Sequence, residues 1–217
     1  MMNLFTPISW NDAGFILTGV LNTVYISVIA IFFGTILGLV LGFARAEGNK
    51  IVNMCLGGVL DILKSVPLII QLILFSTFIG AMGYPLEPFV AGSIILSLYT
   101  MAFMVEVFRS GFDNVPAATK KAARSLGMSY WQTVRHISIP IGMRSVLPSW
   151  IGVGLSVIKD SALVSVIGYM ELLRTAEQLI SRSQQAVMIL VGVGLFYFLI
   201  SYPLSLYGKY IERKMTR

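Results

Sequence analysis

The sequence predicts an all-α integral membrane protein. Its five transmembrane helices would place the N-terminus outside and the C-terminus in the cytoplasm, with a cytoplasmic helix pair between spans three and four. Three observations carry this. Of 217 residues, 56% are hydrophobic and only 12% charged, where a soluble domain carries roughly 25% charge; the mean hydropathy is +0.82. Lys and Arg collect on alternate connections between apolar runs. The polar segment from Glu106 to Pro140 interrupts those runs.

A helix needs about 20 apolar residues to cross the hydrocarbon. The first such run extends from near Phe15 to Phe43. The second covers Ile51 to Met82, with Pro67 inside it and Asp61 and Lys64 near its start. The third covers Pro88 to Phe108, the fourth Ile141 to Tyr169 and the fifth Ala186 to Tyr207. Of the sixteen basic residues, thirteen fall on one side of this layout: Arg45, Lys50, Lys64, Arg109, Lys120, Lys121, Arg124, Arg135, Arg144, Lys209, Arg213, Lys214 and Arg217. Basic loops stay cytoplasmic, which orients the chain and requires an odd number of spans. The same bias accounts for the net charge of +6, so nucleic-acid binding is not needed to explain it. The first fifteen residues hold no Lys or Arg, unlike a cleavable signal peptide. The lone Cys55 excludes an internal disulfide and any multi-cysteine metal site; it reads as a small apolar membrane residue. The expected organisation is one transmembrane domain over 1–217, with its cytoplasmic loop at about 112–140 and no internal repeat.

Gly34, Gly38 and Gly42 recur every fourth residue. Such spacing lets helix backbones approach closely in lipid, so this face reads as a packing seam, within the chain or between subunits, in preference to ordinary glycine enrichment in membrane helices. Gly152, Gly154 and Ser156, and Gly192 and Gly194, suggest similar close contacts.

Within the polar segment, Asp113 and Asn114 are capping residues and Pro116 suits a first helical turn. Ala117, Ala118, Ala122 and Ala123 favour helix. Gly127 fits the left-handed position that ends one. Ser129 and Gln132 have capping-box spacing, and Pro140 limits the second helix. Two short helices around a glycine turn therefore offer Leu126, Met128, Tyr130 and Trp131 as apolar contacts. Three readings compete: a DNA-binding helix-turn-helix, a hairpin lying on the membrane surface, and a docking element for a cytoplasmic protein. The last fits best, because aromatic and Arg side chains on a short rigid protrusion are interface chemistry.

Charges within spans cost about 2.5 to 3.5 kcal/mol at the bilayer centre, so they need partners or a wet cavity. Glu106 and Arg109, and Asp61 and Lys64, have the i,i+3 spacing of ion pairs. Either they pair near the interface, or Glu106 holds the ammonium of a substrate. Lys159 and Asp160 point about 100° apart on a regular helix; each finds a separate partner or the helix breaks between them. His136 reads as a surface residue.

Several stretches together are similar to one family. Lys121-Ala122-Ala123, Gly127 and Ile139-Pro140 resemble the EAA loop of permease subunits from ATP-binding-cassette importers. Glu106-Val-Phe-Arg109-Ser-Gly111, Trp131-Gln-Thr-Val-Arg135, Lys159-Asp-Ser-Ala-Leu-Val-Ser-Val-Ile-Gly168 and Glu171-Leu-Leu-Arg174 resemble its polar amino-acid branch. Two departures stand out: Lys121 occupies the position of the family's Glu, and Lys64-Ser65-Val66-Pro67 replaces an Arg-Gly-Thr-Pro.

The resemblance implies a multi-pass subunit of the cell inner membrane that forms the path for a polar amino acid. A second permease subunit, identical or homologous, would complete the path. An ATP-binding subunit dimer would dock on Lys121, Ala122, Ala123, Gly127, Trp131 and Pro140, and an extracytoplasmic amino-acid-binding protein would deliver the substrate. Glu106, Arg109, Lys159 and Asp160 are the candidate pathway residues. No cofactor, metal or catalytic residue is implied, and the chain has no Gly-x-x-x-x-Gly-Lys-Ser/Thr loop to cradle ATP. Lys121 in place of Glu hints at a heterodimer in which the other permease supplies that contact. The alternative from another class is a standalone ion-coupled carrier or channel.

Overall fold

The computed structural model describes residues 11–215, which leaves the basic tail residue Arg217 outside the described part. The elements, in order, are α1 (Asn11–Glu47), α2 (Lys50–Ser65), α3 (Leu68–Ala81), α4 (Pro88–Asp113), α5 (Ala117–Ser125) and α6 (Tyr130–Thr133). A π-helical turn (Val134–Ser138) leads into α7 (Ile139–Asp160). A 3-10 segment (Ser161–Ile167), α8 (Leu172–Ser183) and α9 (Ala186–Met215) complete the chain. Every described element is helical.

Four helices are long and apolar enough to cross a membrane, and a fifth span results if α2 and α3 count as one sharply bent pair. The break falls at Val66-Pro67, inside the second expected span. Pro67 has no N–H to donate, and its ring disfavours a helical residue before it. Its φ of −54° and ψ of 135° start α3 afresh.

Burial separates the spans. α4 has 56% of its most apolar window buried inside the protein, against 6% for α9. α9 therefore leaves Val187, Val191, Leu195 and Leu199 exposed, as lipid or another subunit allows and water does not. Cys55 is also exposed, on α2.

The chain forms two compact units. One comprises the described residues of Met1–Phe32, Val66–Ser97 and Leu155–Pro203; the other, those of Phe33–Ser65, Leu98–Gly154 and Leu204–Arg217.

In the second unit the α1 glycines meet α4 in matching steps of four. A Cβ on Gly34 would lie 2.6 Å from Thr100 Cβ and one on Gly42 would lie 2.8 Å from Phe108 Cβ, while Gly38 rests on Met104. The seam is thus a contact within the chain. Leu60, Met101, Ala102 and Val105 pack beside it as one cluster, and Met104, Phe108, Phe112 and Val146 as another. The other glycine pairs differ: a Cβ on Gly152, Gly192 or Gly194 would meet nothing within 4 Å. Among the described residues those positions make no close approach within the chain.

In the first unit α8 lies where the sequence reading left only a loop. Leu172, Thr175, Ala176, Leu179 and Ser183 are its buried face, the 3.6-residue spacing of an amphipathic helix. Ala176 and Leu179 cluster with Ile189, Ile16 and Val193. Arg182 pairs with Asp12 of α1.

Substituting Gly38 with Leu forces side-chain volume against Met104, so it is expected to destabilise the protein by about 1–3 kcal/mol. Gly152→Ala, with open space around it and better helix propensity, is expected to leave stability unchanged or higher. Thermal unfolding of the two variants in detergent measures the difference; equal melting would contradict the seam.

Candidate functional site: a surface elbow and a buried charge cluster

The loop between α4 and α7 is a tightly specified elbow. Asp113 and Asn114 do not cap it as expected. Asp113 ends α4, 3.6 Å from Arg109, and Pro116 takes the N-cap position of α5 without a side-chain bond. Proline tolerates that position because its missing N–H would find no partner there.

The C-terminus of α5 follows the glycine signal. Gly127 has φ +86°, its N–H donates to Arg124 O and the Met128 N–H donates to Ala123 O, at 3.0 and 3.2 Å. That bond pair is the Schellman motif. The capping box also forms. Ser129 N donates to Gln132 Oε1 at 2.7 Å, and Gln132 N donates to Ser129 Oγ at 3.3 Å.

Beyond the box, the expectation that Pro140 limits the second helix is wrong. The chain stays helical from Tyr130 to Ile167. Pro140 would clash with the carbonyl four residues earlier in a regular α-helix. Widening to a π turn over Val134–Ser138, with the Ile139 N–H donating to Val134 O, relieves this. The elbow and α7 are therefore mechanically continuous.

Of the expected loop residues, Lys121 and Ala122 are exposed and Ala123 is buried in the α5 contact. Trp131 is 68% exposed, yet its ring stacks on Phe43 of α1 at 6.4 Å. Phe43 in turn meets Phe112 edge-on at 5.4 Å. Leu126 protrudes with 84% of its surface exposed. His136 is exposed and bonded locally to Gln132 O, in keeping with a surface residue.

The charge cluster differs in its pairing. Lys64 meets Asp61 at 3.1 Å as the spacing suggests, but Glu106 does not pair with Arg109. Its carboxylate takes Arg45 Nη1 at 2.5 Å and Lys64 Nζ at 3.2 Å, tying α4 to α1 and α2. The reason is position: Arg45 is nine-tenths buried at the end of the glycine seam. There an uncompensated guanidinium would be costly. Arg109 turns instead toward Asp113, one turn on.

Lys159 and Asp160 end α7, where the helix tightens to 3-10 from Ser161. Among the described residues neither has an ion-pair partner. This pair belongs to the first compact unit, and Glu106 and Arg109 belong to the second.

A residue the sequence reading did not rank as a site is Glu171. It is fully buried and caps α8, accepting from Leu173 N at 2.8 Å and Arg174 N at 2.7 Å. Tyr197 of α9 donates to its carboxylate at 3.4 Å. The cue was present: an acid followed by the apolar spacing of α8 is a helix start. Burial pushes the Glu171 carboxyl up from 4.5 to about 7, helped by the nearby Glu177 charge and opposed by the two N–H donors and Tyr197.

The family described as binding-protein-dependent transport system inner membrane component matches residues 30–217. The chain belongs to this family. It is an inner-membrane component of binding-protein-dependent transport, and the elbow, both charged pairs and Glu171 lie inside the matched region.

The glutamine transport system permease protein GlnP of Escherichia coli (strain K12) is 29% identical over 209 residues, 95% of each chain. The arginine transport system permease protein ArtQ of Bacillus subtilis (strain 168) is 27% identical over 215 residues, 99% of this chain and 98% of its own. The fold is that of the transmembrane subunits of importers. A crystal structure of an amino acid ABC transporter with histidines superposes with a TM-score of 0.86 at 24% identity, covering 96% of this chain and all of that one. The MetNI methionine ABC transporter gives 0.80 at 21%, over 97% of this chain.

Two outcomes follow from this geometry. Glu106→Gln removes the anion paired with Arg45 and leaves Lys64 with Asp61 alone. It should lower stability by about 1–3 kcal/mol, less than a fully buried pair because Glu106 is partly exposed. Thermal unfolding measures this; a normal melting temperature with only a raised KM would mark Glu106 as a substrate contact. Glu171 binds its proton more tightly folded than unfolded, so its contribution is complete below pH 4.5 and lost as pH rises through about 7. Melting temperatures should fall across that window by the equivalent of about 3 kcal/mol. Glu171→Gln should flatten the profile, and an unchanged slope would refute the assignment.

Proposed function

We propose that this chain is a permease subunit of an importer for polar amino acids, and that it forms the membrane path together with a second, identical or homologous permease. ATP is hydrolysed by separate cytoplasmic subunits that dock on the elbow, and an external binding protein delivers the substrate. The cargo class is supported by the relatives, whose names specify glutamine and arginine transport. The basic connections argue that the elbow faces the cytoplasm.

The observation that carries the mechanism is the elbow's construction. A Schellman turn, a reciprocal capping box and the Phe43–Trp131 stack fix a short helix pair whose tip, Leu126, stands exposed. A rigid protrusion joined through a π turn to α7 can transmit a push; a floppy loop could not. Closure of the ATP-binding subunits would move the elbow and tilt the helix attached to it. Glu106, held by two cations, fits a strut more closely than a ligand for an ammonium group. Lys159 and Asp160, unpaired where α7 changes helical type, remain the better pathway candidates. An ion-coupled carrier working alone would have no use for such a handle.

Gly127→Pro removes both the left-handed φ and the N–H of the Schellman turn. Uptake in vesicles with the full transporter is expected to fall at least about a hundredfold, a loss of about 2.7 kcal/mol in coupling, while the protein still inserts. Unchanged uptake would count against the elbow as the coupling element.

A further inference from the structure

Beside the elbow, wholly within one compact unit, lies a cleft of about 750 Å³ lined by Glu47, Lys120, Lys121, Arg124, Tyr130 and Ser138 among others. Its charges are unequally satisfied. Glu47 and Tyr130 share the lining, and Lys120 Nζ donates to Phe112 O at 3.3 Å. The side chains of Lys121 and Arg124, both exposed, have no carboxylate or hydrogen-bond partner among the described residues. Two unsatisfied cations therefore border a concave site, with the protruding Leu126 and Trp131 next to it.

We propose that this cleft receives a carboxylate side chain of the ATP-binding subunit, held by Lys121 and Arg124, so that the docking groove is acidic where it meets α5. The inference rests on the docking reading above and names the chemistry of its partner. Charge complementarity selects the occupant. The lining carries three cations and one acid, and Arg offers a carboxylate two parallel donors. Leu126 and Trp131 supply apolar anchors that exclude water from such a pair once the surfaces meet. An acid at position 121 would repel that carboxylate. Lys121 thus specifies a groove of opposite sign, and like-charge juxtaposition is how interfaces reject wrong partners.

The test coexpresses the complete transporter and recovers it through a tag on this chain in neutral-lipid nanodiscs. Wild type, K121E/R124E and K121Q/R124Q are compared at rising salt. Wild type should retain the ATP-binding subunit and lose it progressively with salt. The Glu variant should bind about tenfold or more weaker, and the Gln variant should fall between them with a flatter salt response. An Asp→Lys or Glu→Lys change in the partner should restore the Glu variant.

Retention of the partner by K121E/R124E with wild-type salt dependence would overturn the inference. So would undiminished retention coupled to loss of binding to anionic vesicles, which would assign the cleft to a lipid headgroup. Should the Glu variant fail to fold, the Gln variant's salt response decides alone. Wild type that recovers no ATP-binding subunit would instead sink the docking reading itself.

Discussion

Everything in the second compact unit depends on how closely α1 approaches α4. Three glycines spaced by four let the two backbones touch at Thr100, Met104 and Phe108. In hydrocarbon there is no hydrophobic drive between helices, so such contact rests on dispersion and fit. The approach has consequences beyond packing. It places Arg45 where Glu106 compensates it, and Phe43 where it bridges Phe112 and Trp131. One small-residue seam thus sets both the charge cluster and the seat of the elbow.

The elbow is built of local signals that agree with one another. Each turn is specified twice, by backbone geometry at Gly127 and by side-chain bonds at Ser129 and Gln132. Such agreement gives a single conformation. The π turn before Pro140 continues that rigidity into α7. A displacement applied at Leu126 would be carried along the helix and not absorbed by a loop.

What the sequence made legible was whatever local chemistry decides. Span positions, the Gly127 turn and the Ser129 box all follow from composition or from residues within four of one another, and the structure agrees with them. The failures share a cause as well. Arg45 and Glu106 are far apart in the chain, so i,i+3 spacing assigned Glu106 to Arg109 although a buried guanidinium outcompetes a half-exposed one. Pro140 read as a stop because the wider π turn that accommodates it leaves no compositional trace. α8 lies in the connection between the fourth and fifth expected spans; its twelve residues are too few to register as a span, although Leu172, Ala176 and Leu179 carry the helical period. The roles of Lys159 and Asp160 turn on partners from other chains, which no spacing rule reaches.

The central claim is that the elbow tip touches the ATP-binding subunit and moves with its nucleotide state. Leu126→Cys in a Cys55→Ser background gives a single thiol at the most exposed point of the tip. In the assembled transporter, a short thiol-to-amine cross-linker should join this residue to the ATP-binding subunit, with a yield that changes when ATP is added, and the joined complex should not transport. Labelling of the same thiol by a membrane-impermeant reagent from outside intact cells, or normal uptake by the cross-linked complex, would contradict the account.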